Sequence, residues 1–126
     1  MGETIHRIAV TGASGYIGSR FIARLGRHPE VERILAIDIR PIPIDYSHKI
    51  SFLKHDVTVP LADELAQHGI KTMVHLAYVL RPGRDQSFVR EVNVCGAQNI
   101  LKACDRCGVE RIVYLSSTSV YGAHLN

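Results

Sequence analysis

The sequence predicts a three-layer α/β domain, with a parallel sheet of about five strands in the order 3-2-1-4-5 packed between helices. Three observations predict it. Short β-branched apolar runs alternate with helical patterns along the 126 residues. A glycine-rich turn, Thr11-Gly12-Ala13-Ser14-Gly15-Tyr16-Ile17-Gly18, joins the first run to the first helical pattern. A carboxylate, Asp38, closes the second run 20 residues beyond Gly18 (38 − 18).

The first strand is read over Ile5 to Val10, β-branched at three positions. A helical pattern follows, with Ile17, Phe21, Ile22 and Leu25 on one side and Arg20, Arg24 and Arg27 opposite. Strand, glycine turn and helix form the setting in which a pyrophosphate rests on a helix N-terminus. Gly12 then supplies a backbone conformation closed to other residues, Gly15 lets the main chain approach the anion, and Gly18 lets helix and strand pack closely. The glycines fall as Gly-x-x-Gly-x-x-Gly rather than the familiar Gly-x-Gly-x-x-Gly. Taken alone, the turn also fits an ordinary tight connection.

His28-Pro29-Glu30 ends the first helix, and Ile34-Leu35-Ala36-Ile37 is continuous in apolar character, as a strand covered on both faces should be. Asp38 lies at the offset of the acidic residue that accepts both hydroxyls of an adenosine ribose. Its charge would repel a 2′-phosphate, which favours NAD over NADP; Arg40, two residues on, leaves NADP as the second reading. The competing reading of Asp38 is a cap in a strand-end turn. Pro41 to Asp45 reads as an extended connection and Ile50 to His55 as the third strand. Asp56-Val57 at its end suits an adenine edge, or equally an Asx turn ahead of Pro60. Leu61 to His68 is a short helix stopped by Gly69.

Thr72 to Ala77 is the fourth strand and Tyr78 to Arg84 the loop after it. A long helix is expected from about Gln86 to Cys107, with Val89, Val92, Gly96, Ile100 and Ala103 on its apolar face and Gly108 as its stop. Asn93 lies beside that face, either as a structural tie to a strand end or as a cofactor contact. The fifth strand, Arg111 to Leu115, runs into the hydroxyl cluster Ser116 to Ser119.

Composition narrows the function class. With 46% hydrophobic and 21% charged residues the chain is ordinary for a globular domain. No apolar run approaches a membrane span, and the start, Met1-Gly2-Glu3-Thr4, lacks a signal-peptide pattern, so the expected compartment is the cytoplasm. A net charge of +3, spread along the chain, gives no support for nucleic-acid binding. Three cysteines form no disulfide framework, and Cys104-x-x-Cys107 has no second pair to complete a metal site. Both read as small buried hydrophobes, with no metal expected.

In this order the motifs resemble the extended short-chain dehydrogenases/reductases, the NAD-dependent epimerase/dehydratases of the sugar-nucleotide epimerase type. The matching residues are Thr11 to Gly18, Asp38, Asp56-Val57, His75-Leu76-Ala77, Asn93-Val94-x-Gly96 and Leu115 to Gly122. The resemblance implies a Rossmann fold. It implies that Tyr16 and Ile17 offer amides to the pyrophosphate, that Asp38, Ile39 and Arg40 surround the ribose, and that Asp56 and Val57 meet adenine. Leu76, Ala77 and Tyr78 would line the nicotinamide half, with Asn93 beneath that loop. Tyr78 stands where the family often carries a small residue.

Counted back from Val120-Tyr121-Gly122, the family's catalytic hydroxyl falls on Ser117. The implied chemistry is hydride transfer between nicotinamide and a hydroxyl or keto carbon of a nucleotide sugar or similar compound. Pairing of two copies through the long helix is common in the family. Its general acid/base is a tyrosine four residues before a lysine, and no tyrosine here has that partner. The expectation is therefore an NAD-binding domain over 1–126, cut before the Tyr-x-x-x-Lys motif and the substrate region, with its fifth strand left exposed. A second class, a non-catalytic dinucleotide-binding or redox-sensing protein, would use the same turn without chemistry.

Overall fold

The computed structural model describes residues 7–43, 48–79 and 85–115. Its core is one five-stranded parallel sheet in the order β3-β2-β1-β4-β5, as the sequence predicts. The strands are β1 (Arg7–Thr11), β2 (Arg33–Asp38), β3 (Ile50–Lys54), β4 (Thr72–His75) and β5 (Arg111–Tyr114). The helices are α1 (Tyr16–Leu25), α2 (Ala62–Gln67), α3 (Gln86–Arg90) and α4 (Gly96–Arg106).

Successive strand residues point to opposite faces of the sheet and feed two separate cores. On one side Ile8, Val10, Ile34, Ala36 and Val74 pack with Ile22 of α1. On the other, Ala9, Leu35, Ile37 and Met73 pack with Leu65 of α2 and Ile100, Ala103 and Cys104 of α4. This is why β1 and β2 read as unbroken apolar runs: Ile8–Thr11 and Ile34–Ile37 are buried throughout. Truncating a fully buried side chain such as Ile22 or Leu65 would cost about 2–5 kcal/mol.

Two expectations change in detail. The fourth strand ends at His75 rather than Ala77, because the Ala77 amide leaves the ladder and donates to the Thr11 hydroxyl at 3.3 Å. The long helix is also not uniformly α. Between α3 and α4 the residues Glu91–Cys95 form a π-helical turn, with helical backbone at both junctions. The extra residue of such a turn is invisible to a 3.6-residue pattern. Among the described residues β5 is an edge strand, exposed over its whole length.

The strand order reverses direction between β1 and β4. Ligand clefts in open α/β sheets form at such a point, beyond the carboxyl ends of the strands.

Candidate functional site

At that point lies a cleft of about 410 Å³. Its lining brings together residues far apart in sequence: Gly12, Ser14 and Gly15 from the turn after β1, Ile37, Asp38, Ile39 and Arg40 after β2, and His55, Asp56 and Val57 after β3. Leu76, Ala77, Tyr78 and Val79 close it from the loop after β4, with Phe88 of α3 and Val92 of the π turn.

The turn has the shape that its glycines allow. Gly12 sits at φ +70°, and a Cβ there would lie 2.7 Å from the Ala77 nitrogen and the Leu76 carbonyl carbon. The glycine turn thus abuts the loop after β4 with no room for a side chain. A Cβ on Gly18 would run into the Gly12 carbonyl oxygen, so this buried glycine sets the approach of α1 to the turn. Gly15 is the N-cap of α1, with no side-chain cap and no acidic residue in the first turn. The first amides of a helix have no intrahelical acceptor, so this positive end is left open at the cleft. Tyr16 and Ile17 expose their side chains outside the cleft lining, which leaves their main-chain amides as what they can offer. The Arg20 guanidinium stacks on the Tyr16 ring at 3.6 Å and donates to the Tyr16 carbonyl at 3.1 Å.

Asp38 both caps its strand end and faces the cleft. One carboxylate oxygen accepts the Ser14 amide at 2.9 Å and the other accepts the Arg40 amide at 3.0 Å. An ionised carboxylate has about four lone-pair positions, so each oxygen keeps capacity for a ligand hydroxyl. Asp56 likewise forms the Asx turn that its sequence context ahead of Pro60 suits. Its Oδ1 accepts both the amide and the hydroxyl of Thr58, at 2.9 and 2.7 Å, while the residue still lines the cleft.

Asn93 is a structural tie: its Oδ1 accepts the Val79 amide at 2.8 Å and its Nδ2 donates to the Val79 carbonyl at 3.0 Å. It does not line the cleft itself. Ser117 lies outside the described residues.

Three contributors escape the sequence reading. The Thr11 hydroxyl lies 2.6 Å from Nδ1 of buried His75. Asn99 donates from Nδ2 to the carbonyls of Val57 and Val59, at 2.8 and 2.6 Å, pinning the loop after β3 to α4. The Ser14 hydroxyl reaches the Arg40 carbonyl at 2.5 Å. Thr11 and Ser14 sit inside the glycine motif but carry no glycine's signal, and Asn99 pairs across 42 residues.

Burial pushes the Cys104 thiol up to about 11, with the nearby Cys107 adding to the effect, and burial also raises Cys107. Neither is poised as a thiolate. Among the described residues no three His, Cys, Asp or Glu side chains gather to hold a metal ion, and no helix is long and apolar enough to cross a membrane.

A glycine turn on an uncapped helix, an acidic strand end and a cleft at the sheet's switch point define a dinucleotide-binding Rossmann domain. The profile of the NAD dependent epimerase/dehydratase family matches residues 8–126, and the chain belongs to that family. It is 31% identical to a decarboxylating sterol-4-alpha-carboxylate 3-dehydrogenase of Candida albicans, over 95% of this chain and 37% of the relative. It is 32% identical to a 3 beta-hydroxysteroid dehydrogenase/Delta 5→4-isomerase of Mycobacterium tuberculosis, over 90% of this chain and 32% of that protein. Among solved structures, MoeE5 in complex with UDP-glucose and NAD superposes with a TM-score of 0.78 at 34% identity, over 94% of this chain and 38% of that one. WbmG of Bordetella bronchiseptica, in complex with NAD, gives 0.79 at 27% identity, over 92% and 39%. The chain therefore spans less than two-fifths of the length of these relatives.

Proposed function

We propose that this chain is the NAD-binding part of an oxidoreductase or epimerase that works at a secondary hydroxyl or keto carbon. The observation that carries the reading is the placement of Asp38 and the open end of α1 on one cleft. The uncapped amides after Gly15 would hold the pyrophosphate, and Asp38 would accept the adenosine ribose hydroxyls with the lone pairs that Ser14 and Arg40 leave free. Asp56 and Val57 would meet adenine, and Leu76, Ala77 and Tyr78 would wall the nicotinamide end. NAD, when bound, supplies the hydride acceptor.

The remaining groups position and line the cleft. Asn93 holds the main chain of Val79 at the nicotinamide end, and Phe88 and Val92 add apolar surface to the cleft wall. By family resemblance Ser117 would hydrogen-bond the reacting oxygen. The sterol and steroid names of two relatives and the UDP-glucose bound to MoeE5 share one chemistry, a ring carbon bearing an oxygen. A nucleotide sugar remains our proposed substrate class, since MoeE5 combines it with NAD at 34% identity.

Calorimetric titration with NAD and NADP tests the cofactor reading. Saturable binding that favours NAD, and that weakens in Asp38→Ala, is the expected result. Equal or tighter binding of NADP would sink the role given to Asp38.

A further inference from the structure

We propose that His75 is a positioning residue of the cleft: a neutral imidazole, protonated on Nε2, whose bare Nδ1 aims the Thr11 hydroxyl. The argument is a count of hydrogens. Thr11 Oγ1 receives the Ala77 amide at 3.3 Å and, shared with the Thr11 carbonyl at 3.2 Å, the Leu76 amide at 3.1 Å. A hydroxyl has two lone pairs and one proton, so with both amides accepted it can only donate toward His75 Nδ1, 2.6 Å away. Nδ1 must then be without a proton, which places the imidazole proton on Nε2. An imidazolium would set two hydrogens against each other along this contact. The hydroxyl would have to turn and release an amide.

The surroundings agree with a neutral ring. His75 is 3% exposed, and burial lowers its tendency to take up a proton. The Tyr114 ring stacks beside it, with centroids 5.7 Å apart and planes at 27°, which fixes the imidazole plane from β5. The two amides that the hydroxyl receives belong to Leu76 and Ala77, the wall against which Gly12 abuts. His75 thus acts through Thr11 on the contact between the phosphate turn and the loop after β4, from behind the cleft rather than within it.

The test uses the ¹⁵N-labelled chain, and its binding arm rests on the cofactor reading given above. Long-range ¹⁵N–¹H correlation reads the tautomer directly, and the expected pattern is a pyridine-like Nδ1 with a protonated Nε2. In His75→Phe, which keeps a ring for Tyr114 but loses the acceptor, the Ala77 amide should exchange with solvent about tenfold faster, the Leu76 amide less because it keeps the Thr11 carbonyl, and NAD affinity should fall by about tenfold. His75→Asn, which retains an acceptor near the Nδ1 position, should recover most of both. A proton on Nδ1, or unchanged exchange in a folded His75→Phe, overturns the proposal. Should the unaltered chain not bind NAD, the cofactor reading fails, while tautomer and amide exchange still decide the role of His75. If His75→Phe does not fold, the tautomer of the unaltered chain decides it.

Discussion

The Asp38 carboxylate accepts the Ser14 amide at 2.9 Å, joining the end of β2 to the glycine turn after β1 across 24 residues. The residue proposed to meet the ribose therefore also holds the turn proposed to meet the phosphates. Binding and local architecture are one construction at this corner of the cleft.

Asp38→Ala should for that reason lose more than a ribose contact. Two amides, of Ser14 and Arg40, lose a charged acceptor. Hydrogen bonds to charged groups contribute about 1.5–3 kcal/mol each, less where solvent replaces the partner, as it can at Arg40. The expected outcome is a lowered Tm together with weakened NAD binding, measured by thermal denaturation and calorimetry. An unchanged Tm would mean that the carboxylate does not hold the turn.

Gly18→Ala tests the close approach of α1 to the turn. The new methyl would meet the Gly12 carbonyl and force helix and turn apart. Overpacking of this kind costs about 1–3 kcal/mol. NAD affinity should fall with stability in urea denaturation and titration, because the open end of α1 moves with the helix.

Asn99→Ala removes the donor that grips the carbonyls of Val57 and Val59. Losing it should cost about 1–3 kcal/mol and free the loop after β3. Amide exchange of residues 57–59 should quicken, and affinity for the adenosine half, measured with AMP, should drop more than affinity for nicotinamide mononucleotide.

The pH response follows from His75, whose pKa burial holds below its ordinary 6.5. Between the folded and unfolded pKa values the unfolded chain binds more protons, so this group's contribution is complete above about 6.5 and is lost as the pH falls through that window. Urea denaturation at about pH 7.5 and about pH 5.5 should show lower stability in acid, with the His75 imidazole titrating below 6.5 by NMR. A His75 that titrates above 6.5 would contradict this.

How much of this was legible in the sequence depended on distance along the chain. The glycine turn and Asp38 could be read because a strand, a turn and a helix impose local chemistry at fixed spacing. The sheet order followed from the same alternation and is the order observed. The partnership of Thr11 with His75 could not be read, since the motifs that hold them lie 64 residues apart and they meet only through the pairing of β1 with β4. Asp38 and Asp56 each fit a turn or a ligand role by sequence; both make the turn and both also line the cleft. Asn93 was legible as a residue needing partners, but not the π turn that carries it, because one surplus residue leaves the apolar spacing nearly intact.

That turn divides the helix into two sections with different angular phase. A π turn fits one extra residue into about the sweep of an α turn, and an α-helix advances about 100° per residue, so rewinding Glu91–Cys95 as regular α-helix with every residue kept would rotate one section against the other by about that angle. Gly96, Ile100, Ala103 and Cys104 are buried on the α4 side, so the earlier section would turn instead. Phe88 and the grip of Asn93 on Val79 would swing with it. The helical irregularity thus works as a spacer, setting core and cleft to different clocks, and straightening it would leave the fold standing with its mouth misaligned.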